Sequence, residues 1–227
     1  TPDVALFGRM ITSDAFRDVQ ASLQVAHAIS THRMEHEFDY FTAVDDLLDP
    51  IGGEDDKGAG MIGDIEFNSA CYYKYFSIDL QGFIENLAGS ETPANLAEAG
   101  DMARRMVLAF LKAAVFTTPS GKQNTFAAHQ LPDAILVEMR AQKIPISYAN
   151  AFVQPVQPRL GEDLVELSIK RFKDHVEMLT RKYSLLSIDR IWFTTRDVAL
   201  DRTTTSETLD DLLQQLSNSI GSWLPNE

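Results

Sequence analysis

The chain has 227 residues, 44% hydrophobic and 23% charged, enough for one large domain with a sizeable apolar core. Its net charge of −13 argues against a surface uniformly suited to phosphate, and no apolar run is long enough to span a membrane. One cysteine, Cys71, excludes an internal disulfide and suits a reducing cytoplasm.

"DVALFG", residues 3–8, reads as a short strand stopped by Gly8, followed by a loop over 9–18. Val19, Leu23, Ala26 and Ile29 recur at helical spacing, which predicts a helix over 19–32. His27 then falls in its core or at its cap. "HEFDYFTAV", residues 36–44, alternates and is aromatic, so it reads as a strand. Residues 45–60 form a polar, glycine-rich turn with seven charges, and 61–78 return as extended sequence. Strand, acidic tip and strand together predict a projecting hairpin.

Residues 79–89 predict a short helix closed by Gly89. A long helix follows over 92–116, with Thr92 as cap and Pro93 at its first position. A loop over 117–125 leads to strands at 125–131 and 134–141, around a turn at Pro132 and Asp133. "QPVQP", residues 154–158, reads as an extended linker. Helices over 161–183 and 205–222 flank a strand at 189–196. The class is α+β, with one interrupted sheet and helices on it.

The charge is unevenly distributed. Residues 34–101 hold sixteen acids and two bases, while 102–132 hold no acid and carry Arg104, Arg105, Lys112 and Lys122. A low overall pI therefore describes one region and not every surface.

His32 and His36 are four apart, like the metal ligands of zinc hydrolases, with Glu35, Glu37 and Asp39 close by. This makes a metal-dependent hydrolase the competing reading. Against it, Arg33 stands where the motif needs Glu, and the pair straddles a predicted helix-to-strand change. "SGKQ" is not a nucleotide-hydrolysing phosphate loop, because Phe116 and Gln123 occupy the required Gly and Ser/Thr positions. Lys122 can still touch a phosphate from a loop. Met10 in a loop and Phe41 in the projecting strand are either core residues or wedges for unstacked bases.

"DVALFGRMITSD", "VAHAISTH", "DYFTAVDDL", "EFNSACYYKYFSIDL", "GKQNTFAAH" and "PISYANAF" occur here in one order. In that order the chain resembles the CasC family, the repeated backbone subunit of the type I-E Cascade complex of CRISPR defence. The resemblance implies an RRM-like (ferredoxin-like) palm over 1–227, incomplete at its N-terminus, with a thumb hairpin inserted over about 36–72. It implies a non-catalytic RNA-binding protein without cofactor or metal, in the cytoplasm. Copies would stack head to tail along a CRISPR RNA, beside other Cascade subunits, and present the guide to a target DNA strand. The implied RNA-binding residues are Arg9, Met10, Phe41, Thr42 and Lys122. Met10 and Phe41 would wedge beside a flipped-out base. The family's longer N-terminal portion, expected to be more basic, precedes the part matched here.

Overall fold

The computed structural model describes residues 1–12, 18–43, 61–89 and 92–224. The architecture is α+β. Instead of one interrupted sheet it contains a long two-stranded ribbon and a separate three-stranded sheet.

The first element corrects the predicted strand. Helix α1, Pro2–Phe7, starts on a proline, has Asp3 in its first turn, and buries Ala5 and Leu6. A short apolar run is compatible with either structure, and here packing on a neighbouring helix decides. That neighbour, α2 (Leu80–Ala88), is capped by Asp79, which accepts from the Gly82 N–H at 3.1 Å. It ends on Gly89 at φ 64°. The long helix α3, Pro93–Phe116, completes this core, where Leu6, Phe83, Ile84 and Ala103 are buried together.

The predicted helix over 19–32 is extended instead. Strand β1 (Leu23–Val25) pairs with β6 (Phe76–Ile78), and β2 (Ile29–Ser30) pairs with β5 (Tyr72–Tyr73), all antiparallel. Strands β3 (Glu37–Ala43) and β4 (Met61–Phe67) continue the same course with seven residue pairs. Between Val25↔Phe76 and Ile29↔Tyr73, three outgoing residues face two returning ones. Between Ser30↔Tyr72 and Glu37↔Phe67, six face four. Such extra residues bend and twist a ribbon. His27 is exposed in the first of these irregularities, not in a core or at a helix cap.

The middle of the ribbon is anchored to the rest of the chain. Thr31, buried, shares a 2.9 Å hydrogen bond with Ser168, and its carbonyl accepts the Val156 N–H. Val156 is buried and bridges His32, so the 154–158 stretch is pinned at its centre, while its other four residues are exposed. The Tyr73 ring packs at a tilt against Phe152 and Phe172. Beyond this anchor, Glu37 through Thr42 are exposed, and β3 and β4 pair where the sequence predicts the two arms of a hairpin. Its tip, the expected acidic turn, lies outside the described residues.

Strand β7 (Ala134–Met139) pairs antiparallel with β8 (Asp189–Thr194), which pairs parallel with β9 (Thr204–Ser206). Ile191 and Trp192 are both buried but face opposite sides, as neighbours in a central strand must. Trp192 packs on α5 (Leu164–Lys182), and Ile191 on α6 (Leu209–Trp223). The sheet is thus covered on both faces. Helix α5 starts on Asp163, whose carboxylate accepts from the N–H groups of Val165 and Glu166. Helix α6 starts on a Thr208–Asp211 capping box. The expected strand over 125–131 is absent. A single helical turn, α4 (Gln123–Phe126), and irregular backbone take its place. No helix among the described residues is long and apolar enough to cross a membrane.

Candidate nucleic-acid interface

The turn carrying Arg9 and Met10 is built on Gly8. Gly8 stands at φ 78°, and a Cβ there would lie 2.8 Å from the Ala21 backbone nitrogen and 2.9 Å from the Val19 carbonyl. This close approach lets Arg9 and Val19 exchange two backbone hydrogen bonds, of 2.8 and 2.9 Å. Chain direction then leaves Met10 outside any core, 88% exposed. Gly8→Ala should therefore cost more than about 1 kcal/mol, because the backbone cannot yield and the φ is wrong for alanine. Gly221→Ala meets open space on α6 and should stabilise by roughly 0.5–1 kcal/mol. Urea melts of the two variants check the contrast. Equal effects would mean that the Gly8 turn is not constrained.

Val19 lies four residues before β1, so Met10 sits at the root of the ribbon. Phe41 and Thr42 sit toward its outer end, on β3. The structure therefore places the two expected wedges at opposite ends of one ribbon. Register sorts the hairpin side chains. Phe41, opposite Gly63, shares a face with Asp39, Ile65, Glu37 and Phe67. Phe38 and Tyr40 share the other face with Glu66 and Asp64. Phe41 lies over Gly63, where a Cβ would come within 2.5 Å of Phe41 Cζ. The missing side chain thus makes a platform for the ring, which remains 40% exposed. Thr42 is exposed beside it.

Lys122 is exposed on the loop before α4, in the left-handed region at φ 54°. The loop meets the hairpin through Phe126, whose ring centroid is 5.1 Å from that of Phe67 on β4. Arg104 and Arg105 are less available. Both pair with Asp101, and Arg104 also donates to Ser217. These contacts hold the Asp101 carboxyl below its usual range, the Arg104 hydrogen bond contributing most. The competing metal reading finds no geometry. His32 is held by Ser30 and by the Val156 bridge, and His36 pairs with Glu66 across the hairpin and stacks on Phe38. Among the described residues, no group of three His, Cys, Asp or Glu side chains is placed to hold a metal ion.

The family model of the CT1975-like proteins, Cas_CT1975, matches residues 1–218. The chain belongs to this family. Two solved structures show what it is similar to. A chain of a "CRISPR RNA-guided surveillance complex, pre-nicking" superposes with a TM-score of 0.78 at 28% identity, covering 97% of this chain and 56% of that one. A chain of a "CRISPR RNA-guided surveillance complex" superposes with a TM-score of 0.74 at 29% identity, covering 96% and 78% respectively. This chain thus spans little more than half the length of the first relative. A comparison with curated proteins found no match. Membership of the Cas_CT1975 family agrees with the CasC resemblance carried by the six sequence motifs.

Gly63 and Phe126, which touch Phe41 and Phe67 in the candidate interface, differ in how far the sequence reveals them. Gly63 was legible in principle, since pairing 37–43 with 61–67 in register sets it opposite Phe41. Phe126 was not, because its contact with Phe67 joins segments with no shared pattern.

Proposed function

We propose that the chain is a non-catalytic, RNA-binding backbone subunit of a type I-E CRISPR surveillance complex (Cascade). It works in the cytoplasm, without cofactor or metal. It is a single palm-type domain over 1–227, with an RRM-like sheet to which β7, β8 and β9 contribute, and the hairpin is its thumb. Copies assemble head to tail along the CRISPR RNA, next to other Cascade subunits. They hold the guide by phosphate and sugar contacts and leave sequence reading to pairing with the target DNA strand.

One observation supports this most directly. The β3 side of the hairpin is exposed from Glu37 to Thr42, with Phe38 and Tyr40 open on one face and Phe41 40% exposed on the other, half-buried face. A two-stranded hairpin is marginal alone in water, so such a projection is built to be covered by something else. Exposed aromatics on an extended ribbon offer flat faces to unstacked bases. Arg9, Met10, Phe41, Thr42 and Lys122 are the residues that would meet the guide. Arg9 and Lys122 would act on phosphate, Met10 and Phe41 as wedges.

The test is RNA binding by the full-length protein over a range of salt. Lys122→Ala should weaken binding about equally for all guide sequences and lower the salt slope by about one. On RNA the protein should form open filaments, because a head-to-tail contact leaves one patch free at each end. Binding without a salt slope, or a two-fold dimer that persists on RNA, would overturn the proposal.

A further inference from the structure

The loop 117–131 is short of regular structure, yet its backbone is tightly specified. Lys122 at φ 54° and Ala127 at φ 46° bracket the single turn α4, and left-handed backbone is uncommon for residues with a Cβ. Within the turn, Thr125 and Phe126 both donate their N–H groups to the Lys122 carbonyl at 3.0 Å. Ala127 donates to the Gln123 carbonyl at 2.8 Å, and the Gln123 side chain donates to the Pro119 carbonyl. Lys122 and Phe126 are therefore two ends of one rigid turn.

Phe126 is 38% exposed and belongs to none of the buried clusters found among the described residues. Its ring meets Phe67 at 52°, a tilted contact of the kind aromatic pairs favour. Phe67 closes the inner end of β4, opposite Glu37, just where the projecting ladder begins. It also shares the hairpin face that carries Phe41. Farther out, Phe38, Tyr40, Asp64 and Glu66 leave one face of the ladder open to solvent, and Gly63 and Ile65 are half-buried on the other.

We infer that α4 is a brace for the hairpin. Phe126 is a positioning residue that fixes the ladder's angle at its root, and so links the hairpin surface of Phe41 to the backbone turn that carries Lys122. The inference deepens the RNA-binding reading and rests on it for its consequence, but the brace itself is independent of RNA. In that arrangement, a phosphate held at Lys122 and a base held at Phe41 belong to one preorganised surface.

The test uses the full-length protein with Phe126→Ala, Phe126→Tyr and the double variant Lys122→Ala/Phe126→Ala. Hydrogen exchange of the amides in 37–43 and 61–67 reads the brace directly. Phe126→Ala should speed that exchange by roughly two- to tenfold, the worth of one aromatic pair, and leave the β7–β8 amides unchanged. RNA affinity should fall by a similar factor with the salt slope intact, since no charge is lost. Phe126→Tyr keeps the ring and should restore both. The double variant should lose less than the sum of the single losses, as for coupled residues. Unchanged hairpin exchange in Phe126→Ala overturns the inference, whatever happens to RNA. A loss of affinity without faster exchange would mean that Phe126 touches RNA itself, which also overturns it. If the parent protein binds no RNA, the functional proposal fails, and the exchange result still decides the brace.

Discussion

Met10→Ala and Phe41→Ala should each weaken RNA binding by roughly 1–3 kcal/mol, the worth of one lost stacking partner, while leaving folding almost untouched. The reason lies in their placement. Met10 is almost wholly exposed on a turn held by backbone hydrogen bonds, so its side chain supports no core. Its removal should change stability by no more than about 0.5 kcal/mol, as for other surface changes. Phe41 touches Gly63 across the ladder, so any cost of truncation is confined to the hairpin. Gly63→Ala offers an independent reading. The added Cβ would collide with the Phe41 ring, so affinity should fall although the ring is retained. Thermal melts paired with RNA titrations separate the outcomes. A large drop in melting temperature for both alanine variants, with affinity of the folded protein unchanged, would make them core residues and sink the wedge assignment.

Glu138→Ala should cost roughly 3–5 kcal/mol of folding stability, a large share of the total for an ordinary domain. Glu138 on β7 pairs with two arginines, Arg140 and Arg190. Its Oε1 accepts from Arg190 Nε at 2.9 Å, and its Oε2 accepts from Arg140 at 2.9 Å and from the Tyr148 hydroxyl at 2.8 Å. All three charged side chains are about nine-tenths buried. Burial, then the Glu138 charge and hydrogen bond, push the Tyr148 phenol up, so it stays a neutral donor. Arg190 also donates to the Asp201 carbonyl, and its Nη2 is buried without a partner. Removing the carboxylate would leave two guanidinium groups facing each other with little solvent. By contrast, Arg105→Ala breaks an exposed pair and should stay within about 0.5 kcal/mol. Urea denaturation of both variants checks the difference. A loss below about 1 kcal/mol for Glu138→Ala would show that water screens the cluster.

This cluster also shows where sequence reading stops. Glu138, Arg140, Tyr148 and Arg190 look like ordinary polar residues in the sequence, and only the β7–β8 register and the returning 140–148 segment bring them together. The helices α2, α3, α5 and α6 are legible because their signals are local. Asp79, Asp163 and the Thr208–Asp211 box mark starts, Pro93 opens α3, and Gly89 stops α2. The hairpin is legible too, since β3 alternates and the acidic stretch after it separates two extended runs.

The misreadings share one cause. Val19, Leu23, Ala26 and Ile29 fit a helical period, but the extended 71–79 segment offers cross-strand hydrogen bonds that local periodicity cannot register. Residues 3–7 fit a strand, but Ala5 and Leu6 gain burial only as a helix packed against α2. Ordered motifs, caps and alternation lie along the chain, so the family, the α+β class and the two arms of the hairpin could be read there, whereas the exposure of Met10 and Phe41 could not. Tertiary structure alone decided that the hairpin is the far end of a ribbon begun at Leu23, that Phe41 rests on Gly63, and that Phe126 meets its root. Those are contacts between segments distant in sequence, and they exist only once non-local pairing has outweighed the local preferences of each segment.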